Sequence, residues 1–441
     1  MDADVPVLPV SVVDNILPAV GDLPVTHVAV GTARRTLVAL GFGSFVAALV
    51  FVIPPLFFPQ MASELHVGVP LLGQIMSAML GLSVVLGLVI GPLSDRSGYR
   101  RLIVVGLVAS AICFLVFGLA PTFLLLLLAS AAGAVTDAGV LGPSFAIAGT
   151  AFTGTAAKRA IGWTTAAQAG SAIVGVPLLA AIGTAAGWRM AFVVAGLAAL
   201  AGVILATAWL PRDHRRSTEP LRVDALLAPY RPLLRHGGMR RLYGATMLGA
   251  VCWMGMLTYL GAFLAEALGL GTGHIGLVYM VAGVGYCLGS LAVGGPLVCI
   301  PARPLIIFGF LAATVLVAVA FSGRVGTAGS VVAVAGATLM WGMEGVAMTA
   351  VLTTETPSGA GTTMTLSGSL FNLGAAGGGV IGGLLLAWSG YEALAVGLPV
   401  FALGAALLSW RSSTAGVGGI PRWHASSESD GREVPMTPEL A

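Results

Sequence analysis

Two carboxylates stand where carboxylates are energetically expensive. Asp137 falls in the middle of the apolar run 122–149 and Glu344 in the run 329–353, whereas the remaining members of the chain's 18 Asp and Glu sit in tails, in loops or near the ends of apolar runs. No Lys, Arg or His occurs at comparable depth in any run. A carboxylate buried without a cation cannot cheaply stay ionised, so burial favours its protonated form. An acid that holds a proton in one environment and releases it in another can couple a proton to the passage of a second solute. The same group attracts a cation, and competition between proton and cation gives coupling directly. The alternative is a neutral carboxyl bonded to neighbouring backbone or, for Asp137, to Thr136. Gln168 and Asn372 are further polar side chains inside apolar runs and are candidates for lining the same space. Trp163, Trp253, Tyr259, Tyr279, Tyr286 and Trp341 also lie in or near runs and are expected chiefly as packing or interface residues.

The elements that must hold these groups are membrane spans. The chain of 441 residues is 57% hydrophobic and 9% charged, with a mean hydropathy of +0.97, far from soluble domains. A spanning helix needs about 20 mostly apolar residues. On that length the chain divides into twelve runs, near 36–58, 70–92, 102–120, 122–149, 161–183, 188–210, 242–265, 274–299, 303–322, 329–353, 363–388 and 391–410. The expected fold is all-α, with twelve transmembrane helices.

Basic residues set the orientation, because loops on the cytoplasmic side retain Lys and Arg. With both termini inside, all 21 basic residues except Arg189 and Arg324 fall on the cytoplasmic side. The net charge of +3 then reflects topology; no aromatic-interleaved basic patch points to nucleic acid. Residues 1–33 lack the basic start and apolar centre of a signal peptide and read as a disordered cytoplasmic tail, as do residues 412–441, rich in Ser, Glu and Pro. Residues 211–240 mix arginines with leucines and read as a cytoplasmic linker carrying a short amphipathic helix on the anionic leaflet.

The bundles on either side of this linker, 34–210 and 241–411, are related. At a constant offset of 203 residues Gly68 matches Gly271, Gly73 Gly276, Arg100 Arg303, Leu102 Leu305, Ile103 Ile306, Gly106 Gly309 and Gly187 Gly390. One ungapped offset sustained over that length indicates a duplicated six-helix unit. It places Met340 opposite Asp137, so the two deep acids are about a turn out of register.

The turn after the second run reads Gly91-Pro92-Leu93-Ser94-Asp95-Arg96-Ser97-Gly98-Tyr99-Arg100-Arg101. It resembles the loop signature of the major facilitator superfamily, G-x-L-x-D-R-x-G-R-R, with Leu93, Asp95, Arg96, Gly98, Arg100 and Arg101 in place and Tyr99 shifting the basic pair by one. The resemblance implies two parallel six-helix halves and a central cavity between them, lined in part by the helix of Asp137. It also implies that Asp95 bonds across the halves to the start of the eleventh helix near Thr362 to Thr365, while Arg96, Arg100 and Arg101 position the loop and mark topology. In the second half Val298 stands at the place of Asp95, so only the first half keeps this acidic gate.

A second resemblance lies in the fifth helix, where Gly170, Gly175 and Pro177 are followed by Gly187-Trp188-Arg189-Met190-Ala191-Phe192. This is similar to the fifth-helix motif and the G-W-R-x-x-F of twelve-helix drug or sugar proton antiporters of bacteria, in which such packing is thought to seal the cavity against leak. The arginine usual early in the fourth helix of those proteins is missing, the run being Ala129-Ser130-Ala131-Ala132-Gly133-Ala134.

The expected function is therefore proton-coupled efflux of a small molecule (drug, metabolite or sugar) by alternating access. Uptake by symport or facilitation is the alternative, and a non-transporting membrane sensor a third reading. The expected partners are membrane lipid, protons and the transported small molecule, with no nucleic acid and a monomeric state, as in most of the family. No enzyme constellation and no cofactor is expected. The single lysine, Lys158, follows no G-x-x-x-x-G, so no phosphate-binding loop is present. The histidines lie in tails or loops, and Cys113, Cys252, Cys287 and Cys299 are scattered without metal spacing or a disulfide framework. Twenty Arg against that one Lys, with abundant Ala and Gly, would suit a high-GC bacterium, and the expected location is the cell membrane.

Overall fold

The computed structural model describes residues 30–152, 154–211, 230–356 and 360–413, with the side chains of 30–32, 88, 91–97, 154–155, 158, 360–361 and 413 outside the description. The expected tails, most of the linker and the side chains of Gly91, Asp95 and Arg96 thus lie outside the described residues.

Within them the chain is helical. The first six spans are α1 (Val30–Leu65), α2 (Val69–Ser97), α3 (Tyr99–Leu119), α4 (Phe123–Thr150), α5 (154–186) and α6 (Trp188–Trp209). Four more are α7 (Gly237–Glu266), α8 (Thr272–Gly294), α9 (Ala302–Phe321) and α10 (Gly326–Thr354). The final helical stretch, Ala360–Ser413, is broken by the non-helical pair Ser389 and Gly390. Its apolar part is 51 residues long, and at 1.5 Å per residue that is more than twice the roughly 30 Å of hydrocarbon. It is therefore two spans, α11 (360–388) and α12 (391–413), and the twelve expected runs are twelve helices. Successive helices run in opposite directions, so one end of the bundle collects the basic residues; it is called the basic end below.

Hydrogen bonding forces this architecture, because backbone amides in hydrocarbon must be satisfied within each helix. Helix approach is then decided by small side chains. A Cβ on Gly289 would lie 1.9 Å from the Leu339 carbonyl oxygen and one on Gly342 2.0 Å from that of Tyr286, so α8 and α10 meet backbone to backbone. Similar contacts join α7 to α11, where a Cβ on Gly374 would meet the Met247 carbonyl at 2.0 Å.

The duplicated sequence has duplicated fastenings. Arg100, at the start of α3, donates to the Thr207 carbonyl near the end of α6; its repeat mate Arg303, at the start of α9, donates to Ser412 Oγ near the end of α12 at 3.0 Å and pairs with Glu355. At the opposite end Trp188 Nε1 donates to Glu64 at 2.6 Å and Tyr391 Oη donates to Glu266 at 2.8 Å. The glycines before those two aromatics, Gly187 and Gly390, have φ of 86° and 69°, a region that side chains with a Cβ rarely enter.

Two expectations for the linker change. Residues 237–240 belong to the first turn of α7, where His236 Nδ1 accepts from the Met239 amide at 3.4 Å and so caps the helix. The short helix is a single turn, Arg231–Arg235, and its Leu233 is fully buried in the core of the second half instead of facing lipid.

Candidate functional site

The halves touch chiefly along three helix pairs: α1 with α7, α2 with α11 and α5 with α8. At the end opposite the basic one the fit is close. A Cβ on Gly261 would lie 2.5 Å from the Pro55 carbonyl, one on Gly383 3.0 Å from that of Pro70, and one on Gly276 2.5 Å from Ala180 Cβ. Gln60 also donates to Thr272 across this seam. Towards the basic end α2 and α11 stay in contact, a Cβ on Gly87 lying 3.9 Å from Ser369 Oγ, while several glycines face open space. A Cβ on Gly142, Gly149, Gly162 or Gly368 would meet nothing within 4 Å.

Asp137 sits near the middle of α4, on the seam between the halves. α4 does not pass it as a regular helix: Asp137–Leu141 is a π turn between α-helical segments Phe123–Thr136 and Gly142–Thr150. Such turns are frequent at functional sites. Gly106 and Gly139 let α3 and α4 approach here, since a Cβ on Gly139 would lie 3.1 Å from the Leu102 carbonyl. Thr136 points into that contact and donates to the Gly106 carbonyl at 3.1 Å, so it does not serve the acid beside it. Asp137, half-buried, instead accepts a 2.7 Å hydrogen bond from Asn372 Nδ2 of α11. Ser83 of α2 lies in reach of the same carboxylate and 3.4 Å from the Ala134 carbonyl. Three helices from both halves thus meet at one carboxylate, and no cation is among its partners.

Glu344 is 7% exposed and has no hydrogen-bond or ion-pair partner among the described residues. A Cβ on Gly309 would lie 2.9 Å from its own Cβ, so α9 closes one side. Gln168 does not join Asp137 either. Its Nε2 is buried without a partner among the described residues, while its backbone carbonyl accepts from Ser171 Oγ at 2.6 Å. Of the four polar residues expected to line one cavity, only Asp137 and Asn372 are in contact.

The fifth-helix motif works through packing. A second π turn, Ser171–Gly175, precedes Pro177. Gly170 and Gly175 face α1, where a Cβ would come within 3.7 Å of Phe45 and 2.6 Å of Leu49 respectively, and the Pro177 backbone faces Gly276 of α8. Phe192, last residue of the G-W-R-x-x-F run, is ringed by Phe57, Phe114, Phe117 and Trp188 with centroids 5.2–6.4 Å away.

Of the loop signature, Gly98 is the turn between α2 and α3 with φ of 82°. Arg100 is bonded as described and Arg101 is exposed. The expected bond from Asp95 to the start of α11 falls outside the described side chains. On the receiving side, Thr363 is fully buried and shares a hydrogen bond with Thr356 of its own half.

Asn372 became a partner only in three dimensions, although its polarity in an apolar run marked it. The π turn, Ser83 and the pairing of Glu64 with Trp188 carried no signal beyond ordinary residue types.

A sequence model of the Major Facilitator Superfamily matches residues 40–360. A search of curated proteins finds no match. Among solved structures the fold is similar to that of a bacterial homolog of the human lysosomal transporter Spinster in an inward-facing, occupied conformation (TM-score 0.69, 17% identity, 86% of this chain and 97% of that one). It is also similar to the human organic anion transporter TETRAN (TM-score 0.64, 17% identity, 86% and 99%) and to a variant of the nucleoside transporter NupG (TM-score 0.71, 13% identity, 86% and 99%).

Proposed function

Because the chain belongs to the major facilitator superfamily, we propose that it is a secondary active transporter that exports a small molecule in exchange for protons. The observation that carries this reading is the bond between Asp137 and Asn372, which joins the halves at a carboxylate with no cation beside it. Opening the halves on the other side must break that bond. Proton binding to Asp137 and the change of access then draw on the same contact, and a group whose proton affinity differs between two access states couples a gradient to transport.

The basic end faces the cytoplasm in this proposal, since it carries the arginine-rich turns. Export rather than uptake is supported by the similarity of the Gly170, Gly175 and Pro177 run to antiporters and by its close packing on α1 and α8. A membrane potential of 100 mV supplies about 2.3 kcal/mol per charge, enough for a useful concentration ratio.

The test is dye-reported proton release from energised inverted vesicles holding the protein, screened against a compound panel, with Asp137→Asn as the control. Release triggered by a compound in the parent and lost in the variant supports the reading. Silence across the panel with folded protein present, and accumulation of a compound in whole cells instead, would reject export.

A further inference from the structure

Glu344 is left without a task by the reading above, and its surroundings are unusual for an idle carboxylate. It lies on α10 one turn after Trp341, and residues three apart share a helix face. The Trp341 ring centroid is 5.0 Å from that of Trp253 on α7, and Trp253 is 5.7 Å from Tyr286 on α8. Tyr286 closes the circuit: it lies near enough to Glu344 to interact with it electrostatically, and its hydroxyl is 3.9 Å from where a Cβ on Gly345 would be. Three helices of the second half therefore bring three aromatic rings to one acid.

This arrangement is held rigidly. The backbone contacts at Gly285, Gly289 and Gly342 fix α8 against α10, and those at Gly374 and Gly378 fix α7 against α11. Trp341 is 6% exposed, whereas Tyr286 is 38% exposed and is the open side of the cluster. Ring faces are electron-rich and attract cations within about 6 Å of their centroids. A carboxylate adds a full negative charge to the same place. The side-chain donors in the group, the Tyr286 hydroxyl and the indole N–H groups of Trp253 and Trp341, are all neutral, and the carboxylate repels an anion.

We propose that Glu344 and the rings of Trp253, Tyr286 and Trp341 form a binding site for an organic monocation, a quaternary or protonated amine or a phosphonium. The site rests on the transporter reading and divides the labour within it: Asp137, shared between halves, carries the proton, and Glu344, enclosed in one half, holds the charge of the cargo. The flat rings accept apolar substituents around that charge without demanding one shape.

The experiment uses the purified full-length protein in detergent, without any gradient, and follows equilibrium binding of tetraphenylphosphonium, ethidium and benzalkonium against the neutral triphenylphosphine oxide. The parent is expected to bind at least one monocation and to prefer it to the neutral compound. Affinity should fall by roughly tenfold or more in Glu344→Gln, which removes the charge and keeps the size, and several-fold in Tyr286→Leu. It should be unchanged in Glu64→Gln, at the far end of the first half. A second measurement needs no variant: dicyclohexylcarbodiimide labelling of Glu344, read by mass spectrometry, should be suppressed by bound tetraphenylphosphonium.

Binding of no monocation, equal binding of the neutral compound, equal affinity in Glu344→Gln, or labelling of Glu344 untouched by bound cation would each overturn the proposal. Failure here and failure of the exporter reading are separable. Cation binding at Glu344 with no proton release defeats export alone, and proton-coupled export of neutral compounds with no cation binding defeats the site alone.

Discussion

Asn372 donates to Asp137 across 235 positions of sequence and from one half of the molecule to the other, with 2.7 Å between Nδ2 and Oδ2. When the Asp137 carboxylate is ionised, such a hydrogen bond contributes about 1.5–3 kcal/mol. That is enough to bias an equilibrium between two arrangements of the halves by one to two orders of magnitude.

Removing either side of this bond should separate coupling from folding. Asp137→Asn is expected to cut compound-driven proton release by roughly tenfold or more, while the protein still elutes as a single folded species. Asn372→Ala should weaken release less. The double variant should be no worse than Asp137→Asn, because residues that share one bond are not additive. Additive losses in the vesicle assay would mean that the two act separately.

The glycine seam between α8 and α10 gives a stability prediction with an internal control. Gly342→Ala puts a Cβ 2.0 Å from a carbonyl oxygen, and overpacking of this kind costs about 1–3 kcal/mol or more. Gly162→Ala meets open space and removes chain entropy from the unfolded state, so it should be neutral or stabilising by about 0.4–1 kcal/mol. Thermal unfolding in detergent checks both, and equal melting of the two variants would contradict the packing described.

At the end opposite the basic one, Glu64 accepts from Trp188 at 2.6 Å and from Arg189 at 2.8 Å, and Glu266 accepts from Tyr391. Glu64→Ala is expected to destabilise by about 1–2 kcal/mol, the discount reflecting a half-exposed pair. Glu266→Ala should cost less, since one neutral donor is lost. The two should add in the double variant, each clamp lying within its own half. Denaturant titration of the three variants reads this out.

Orientation can be tested with the chain's own thiols. Cys299, beyond the end of α8 at the basic end, is exposed, whereas Cys113 and Cys252 are buried. A membrane-impermeant maleimide should modify Cys299 in inverted vesicles and leave it unmodified in intact cells, with the modified residue identified by mass spectrometry. The reverse pattern would turn the proposed topology over.

Much of this fold is legible in the sequence because the bilayer leaves little choice. Each span must be a helix of near-fixed length, so the apolar runs alone located all twelve helices. The ungapped offset that pairs Arg100 with Arg303 and Gly187 with Gly390 also carries over into matching contacts. The site was legible in pieces. Asp137 was conspicuous because an acid in an apolar run is rare. What stood near it was not, because helix faces in a membrane protein are apolar all round and give no periodicity to say which side meets a neighbour. Asn372, Ser83 and the ring cluster around Glu344 depend on how helices far apart in sequence dock. Helix boundaries moved for a local reason, as at His236, whose side chain caps a turn that composition assigned to the linker.

The paired fastenings have a mechanical consequence. Arg100 and Trp188 each tie helices within the first half, and Arg303 and Tyr391 do the same within the second. Among the described residues, the side-chain bonds that cross between halves (Asn372 to Asp137, Gln60 to Thr272) are single hydrogen bonds without an ion pair. Each half is thus laced together by its own charged and polar fastenings while few side-chain bonds tie it to the other, so a change of access would turn a pair of levers and need not deform a solid.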